Sequence, residues 1–332
     1  ITESDIKKPR SPEDAVYAQI EKELTEAVPF LESSYTGSDV GRATKGSALG
    51  LLAKTYLYQR KWSDALAAIS SIDDLGIYQL QPVYRNNFID STQNNTESLF
   101  EIQHLSNESP KTGSYLNQYF SPTKDNGYFF IAPLQGFVNE FETTAGLVTD
   151  PRLDYTVGRN GQKWVNGEDF DPAWSATGFL SRKHVQPKRE EPIVGDASLN
   201  YVYMRYADIL LMKAEALNES GQSATALEPL NAVRKRARES YLYDADLPGF
   251  GAVPANLLPD VVTADQETLR TAIRHERRVE LGFEFHRYFD LIRYGQQAAE
   301  AALAGTGFAF ADNEGRFLIP QSELDTNPAI GE

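Results

Sequence analysis

A mainly α-helical chain, built of tetratricopeptide-like helical hairpins around a loop-rich elaboration, is the fold class this sequence predicts, on three observations. Apolar residues recur at helical spacing in paired runs joined by short polar links. Two of these paired runs align with each other, Leu49 on Leu210, an offset of 161 residues. Between them, residues 77–200 carry Pro, Gly, Asn and Asp throughout and only short apolar stretches.

The first helix is expected to start at Ser11-Pro12-Glu13-Asp14, with Ser11 as cap, Pro12 in the first helical position and acids near the positive helix end. Val16, Ile20, Leu24 and Val28 then give one apolar face, ended by Pro29. Residues 44–75 read as a helical hairpin, with Ser63 as a cap for its second helix and Gly76 closing it. Residues 203–238 read as a second. Ala53 matches Ala214 and Ala65 matches Ala226, small residues that allow helices to cross closely; Tyr56 on Leu217, Ile69 on Leu230 and Ile72 on Val233 fill the space beside them. Within 77–200, Leu99–Ile102 reads as a short strand and Gln135–Glu142 as a short helix. Gln266–Gly282, Glu284–Tyr294 and 297–304 give further helical stretches in a C-terminal part, 265–332. Long loops on a helical scaffold are where ligands bind, which places the expected site in 77–200.

Composition narrows the function. The 332 residues carry 32 basic and 47 acidic side chains, a net charge of −15, which argues against nucleic acid as a partner. No cysteine is present, so thiolate metal sites and cysteine nucleophiles are excluded. No apolar run is long enough for a membrane-spanning helix. His275-Glu276-Arg277-Arg278-Val279 lacks the second histidine of a zinc-protease helix. Glu276 and Glu280, one helical turn apart, superficially resemble an acid–base pair, but the alternating arginines make a structural ion-pair network the better reading, with Arg152 bridging loops.

Several segments together carry a family pattern: Arg42–Leu49, Asp150-Pro151-Arg152-Leu153, Arg205-Tyr206-Ala207-Asp208 running on to Leu217, Glu276-Arg277-Arg278-Val279-Glu280-Leu281, Arg287–Gly295, and Leu318–Pro328. Their order and content resemble the SusD/RagB family of nutrient-binding outer-membrane lipoproteins, from about residue 11 to the end. The departure at Gly282-Phe283-Glu284-Phe285 suggests a different local turn. The resemblance implies a SusD-like fold, with 1–332 as one domain forming the C-terminal part of it, and with first repeat helices and a lipidated cysteine lying ahead of this chain. It implies a non-enzymatic protein of the outer-membrane surface that binds oligosaccharide or polysaccharide and delivers it to a SusC-like TonB-dependent transporter. The alternatives are a peptide-binding lid of such a transporter and a tetratricopeptide-type interaction scaffold.

Aromatic side chains stack on sugar rings while amides and carboxylates bond hydroxyls. On that chemistry the expected ligand residues are Trp164 and Trp174, in a Gly/Asn-rich loop with Asn160, Asn166 and Asp169, and Tyr128 and Phe129 of an aromatic run ending at Phe130. No cofactor is expected, although calcium is a candidate for the oxygen-rich stretch 166–171.

Overall fold

The computed structural model describes residues 7–187, 195–310 and 317–330. Helix α1 (Glu13–Ala27) begins just after Pro12, which holds the cap position without a side-chain bond, so the expected Ser11 cap does not form. Helices α2 (Lys45–Tyr58) and α3 (Trp62–Asp73) make the first hairpin. Thr44 and Ser47 cap α2 reciprocally: Ser47 N donates to Thr44 Oγ1 at 3.1 Å and Thr44 N to Ser47 Oγ at 2.8 Å. Trp62 opens α3 one residue before the expected Ser63 cap, and Gly76 ends the hairpin at φ +65°.

Strand β1 (Ser98–Ile102), the short helices α4 (Leu116–Phe120), α5 (Gln135–Val138) and α6 (Arg152–Thr156), and the two-residue strands β2 (Val157–Gly158) and β3 (Leu180–Ser181) punctuate the loop-rich region. Strand β4 (Tyr201–Arg205) pairs antiparallel with β1 and runs directly into α7 (Tyr206–Glu219), which forms the second hairpin with α8 (Ser223–Tyr243). Helices α9 (Gln266–Glu280), α10 (Arg287–Tyr294), α11 (Gln296–Leu303) and α12 (Gln321–Thr326) complete the order.

The two hairpins stack as the offset repeat predicts. Ala53, Ala65, Ala214 and Ala226 are all fully buried at the helix crossings, and Leu49, Ile69 and Ile72 share one apolar cluster with Ile209, Met212 and Ala216. Leu217, Leu230 and Val233 form the adjoining cluster with Leu269 and Ile273 of α9.

Behind these clusters lies a layer of buried charge. Arg205 at the β4–α7 junction donates to Glu97 (2.7 Å), Glu280 (2.5 Å) and both oxygens of Glu284 (2.7 and 2.8 Å). Arg152 donates to Asp150, Glu276 (2.5 Å) and Glu280 (2.8 Å), so it ties the loop at 150 to α9. Arg236 reaches Glu97 and Glu280, Arg234 reaches Glu276, and Lys183 reaches Glu284 at 2.7 Å. Cations Arg152, Lys183, Arg205, Arg234 and Arg236 therefore face carboxylates Asp150, Glu97, Glu276, Glu280 and Glu284 one for one. Such a layer persists only when each charge is both paired and hydrogen-bonded. Glu284 shows the balance: burial pushes its carboxyl up, but Arg205 and Lys183 beside it outweigh that and hold it down at about 2. Glu276 and Glu280 are thus engaged by guanidiniums, as the network reading expected, and neither is free to move a proton for a substrate.

Candidate functional site

Helix α4 and the segment after it build an exposed row of rings. Tyr115 and Tyr119 sit one turn apart and point the same way. The chain then reverses through Pro122–Gly127 and runs back beside α4. Tyr128 N donates to Gln118 O (2.9 Å), Phe129 N to Ser121 O (3.0 Å) and Phe130 N to Tyr119 O (2.7 Å). Gly127 is required here, because a Cβ would lie 2.0 Å from Ser121 O. Phe129 at φ +44° and Ile131 at φ +52° break the regular alternation of a strand. The rings of Tyr128 and Phe130, two residues apart, nonetheless share one side, with centroids 5.4 Å apart.

The product is a continuous platform. Tyr119 lies 6.2 Å from Tyr115, 6.2 Å from Tyr128 and 5.9 Å from Phe130, with ring planes tilted by 32–39°. Tyr115, Tyr119, Tyr128 and Phe130 are 52%, 39%, 46% and 53% exposed, an unusual amount of open aromatic surface in one place. Gln118, whose Nε2 donates to the Asn126 backbone oxygen at 3.3 Å, places its amide beside Tyr115. Hydrophobic rings with phenol and amide edges suit a ligand that has apolar faces and hydroxyl rims.

Sequence reasoning named Tyr128 and Phe129 but not Tyr115 and Tyr119, which stand in the same exposed cluster of rings. Phe129 is exposed, yet its ring makes none of the platform's ring contacts. The expectation for Trp164 is corrected: the side chain is 2% exposed and packs with Phe120, Phe170, Leu180 and Val185, so it has no face for a ligand. Gly158 lets that indole lie against β2, where a Cβ would sit 2.5 Å from Trp164 Cζ3. Trp174 is half-buried, edge-on to Trp164 (6.2 Å) and Phe170 (5.1 Å), and the ammonium of Lys124 lies 4.6 Å over its ring. The two indoles pin their own loop. Asn160 is exposed, Asn166 bonds Glu168 (Nδ2 to Oε1, 2.6 Å) and Asp169 pairs with Lys163 at 2.6 Å. The calcium candidate at 166–171 is not supported: Glu168 is paired with Lys124, Asp169 with Lys163, and Asp171 caps Ala173 N. Among the described residues no group of three His, Asp or Glu side chains is placed to hold a metal.

The SusD family model matches residues 96–330. This chain belongs to the SusD family. It is 28% identical over 324 residues to the SusD-like protein P38 of Formosa agariphila, a match covering 87% of this chain and 59% of that protein. A SusD-like carbohydrate-binding protein from Bacteroides fragilis superposes with a TM-score of 0.83 at 27% identity, over 99% of this chain and 74% of the other. A laminarin-binding SusD-like protein superposes at 0.72 with 28% identity, over 96% and 68%. The SusD chain described here thus spans about three-fifths of the length of the P38 relative. The mainly helical fold expected from the sequence is the fold of these structures.

Proposed function

We propose that this SusD-family chain captures glycans at the cell surface on the Tyr115–Tyr119–Tyr128–Phe130 platform, without breaking a bond, and passes them to a SusC-like TonB-dependent outer-membrane transporter. The observation that carries this reading is the exposed row of four rings, with the Gln118 amide at its edge. The relative that binds laminarin makes that neutral glucan the first probe. A net charge of −15 puts no repulsive field in the way of a neutral chain. Stacking on an open surface leaves little surplus after the losses of association, so affinity falls in the micromolar to millimolar range, about −4 to −8 kcal/mol.

The test is isothermal titration and native affinity electrophoresis of the whole protein against laminarin and a panel of neutral glycans. Wild-type protein binds at least one. The Tyr119→Ala/Tyr128→Ala double variant loses at least tenfold in affinity, whereas Trp174→Phe does not. A panel with no binder, or equal binding by the double variant, overturns the proposal.

A further inference from the structure

Away from the platform, three guanidiniums converge beside the small β2–β3 ladder. Arg159 follows β2, Arg182 follows β3, and Arg85 comes from the turn Tyr84–Asn87. Both Arg85 and Arg159 press electrostatically on Arg182, whose proton affinity is lowered by burial first and by these two like charges as well. The carboxylates nearby do not saturate them. Asp154 Oδ1 lies 2.5 Å from Arg159 Nη2 as an ion pair, but without hydrogen-bond alignment. Asp244 is taken by the Tyr155 hydroxyl and by Asp246 N (3.0 Å), leaving it 3.6 Å from Arg85. Asp246 pairs with Arg85 at 2.7 Å but is 69% exposed, so water screens it. Arg182 donates at 2.6 Å to the backbone oxygen of Asp154, and among the described residues it forms no ion pair.

Two donors here, Arg159 Nη1 and Arg85 Nε, are shielded from water and have no hydrogen-bond partner. Buried polar groups are almost always satisfied, and a charged N–H left open is costly. Arg85 and Arg159 remain 41% and 19% exposed, so turning their terminal torsions brings those donors to the surface. Arg159 and Arg182 are held beside each other by Asp154, its Oδ1 on Arg159 and its backbone oxygen on Arg182, and planar guanidiniums match the oxygens of a carboxylate or sulfate.

We propose that Arg85, Arg159 and Arg182 form a second, anion-selective subsite that takes a sulfate ester or uronate carboxylate on a bound glycan; that the anion is borne by a glycan rests on the platform reading above. The chain's net negative charge repels polyanions in general, so retention of one reports a local site and not bulk attraction.

The experiment is native affinity electrophoresis in gels holding carrageenan, polygalacturonate or laminarin. The expected result is retardation of wild-type protein by at least one anionic polymer, weakening as NaCl rises. Arg159→Ala and the more exposed Arg85→Gln each reduce it at least fivefold, with laminarin retention and melting temperature unchanged. The polymer affected identifies sulfate or carboxylate as the group. No retention by either polymer, or equal retention by wild type and both variants, overturns the subsite. Tyr119→Ala separates the two readings: loss of laminarin with anionic retention kept supports both, and laminarin retained removes the platform while leaving the subsite standing.

Discussion

Replacing Glu280 by Gln tests the buried charge layer most directly. The Glu280 side chain is fully buried and accepts from Arg152, Arg205 and Arg236. Burial pushes its carboxyl up, but Arg236, Arg205 and Arg152 together outweigh that, so the group is ionised throughout the usual pH range. Glutamine keeps the shape but removes the charge, and turns an amide N–H toward a guanidinium that needs an acceptor. Each arginine keeps another partner: Asp150 and Glu276 for Arg152, Glu97 and Glu284 for Arg205, Glu97 for Arg236. The loss is therefore less than three independent charged bonds, and matches the ~3–5 kcal/mol of breaking one member out of a buried ionic set. At a slope of about 3 kcal/mol per M, the urea midpoint followed by tryptophan fluorescence drops by about 1–1.7 M. Adding Arg236→Gln restores charge balance and recovers part of the loss, a non-additivity that a double-mutant cycle measures. Lys163→Ala, at an exposed pair, shifts stability by less than about 0.5 kcal/mol. A Glu280→Gln loss below about 1 kcal/mol would refute the picture of a dry, charge-matched interior.

Trp164→Ala empties a packed site and should cost about 3–5 kcal/mol, lowering the melting temperature while glycan affinity below the transition stays within twofold. Gly127→Ala drives a methyl group into Ser121 O and displaces Tyr128 and Phe130, so ligand affinity falls much more than stability does. Burial pushes His184 down to about 4, its ring stacked 5.4 Å from Phe285 and 2.7 Å from Phe283 O. The unfolded chain takes up this proton near pH 6.5 and the folded one only near 4, so stability falls as pH drops through that window. His184→Gln removes a share of about 2–3 kcal/mol from the difference in unfolding free energy between pH 7 and pH 4, read by thermal melts in matched buffers. His286, pushed down to about 4 by burial, adds to this effect, whereas His275, raised mainly through Glu142, works in the opposite sense.

The hairpins were legible because helical periodicity and small-residue crossings are local properties, and Ala53, Ala65, Ala214 and Ala226 sit where they imply. The network was legible in part: Arg152, Glu276 and Glu280 fall in motif segments. Glu97, Lys183 and Arg236 are scattered charges that look like surface until the fold gathers them. Strand β4 was hidden because Arg205 ends it and Tyr206 begins a helix with no intervening turn. At the candidate site, α4 has five residues, too few to display a period, so Tyr115 and Tyr119 read as loop. Trp164 misled for the converse reason. Glycines around it suggested an open loop, whereas Gly158 exists to let a backbone pass beneath the indole. Which aromatic ends up inside depends on long-range packing that a local pattern does not encode.

Residues 128–130 are fastened to α4 and its C-terminal end by three backbone amide-to-carbonyl bonds, whose donors and acceptors are common to all residue types except proline. Their outward rings are passengers on the scaffold. Substituting them leaves the backbone seam and the charged interior intact, so under the proposed reading this surface can change its ligand while the rest of the molecule stays as it is.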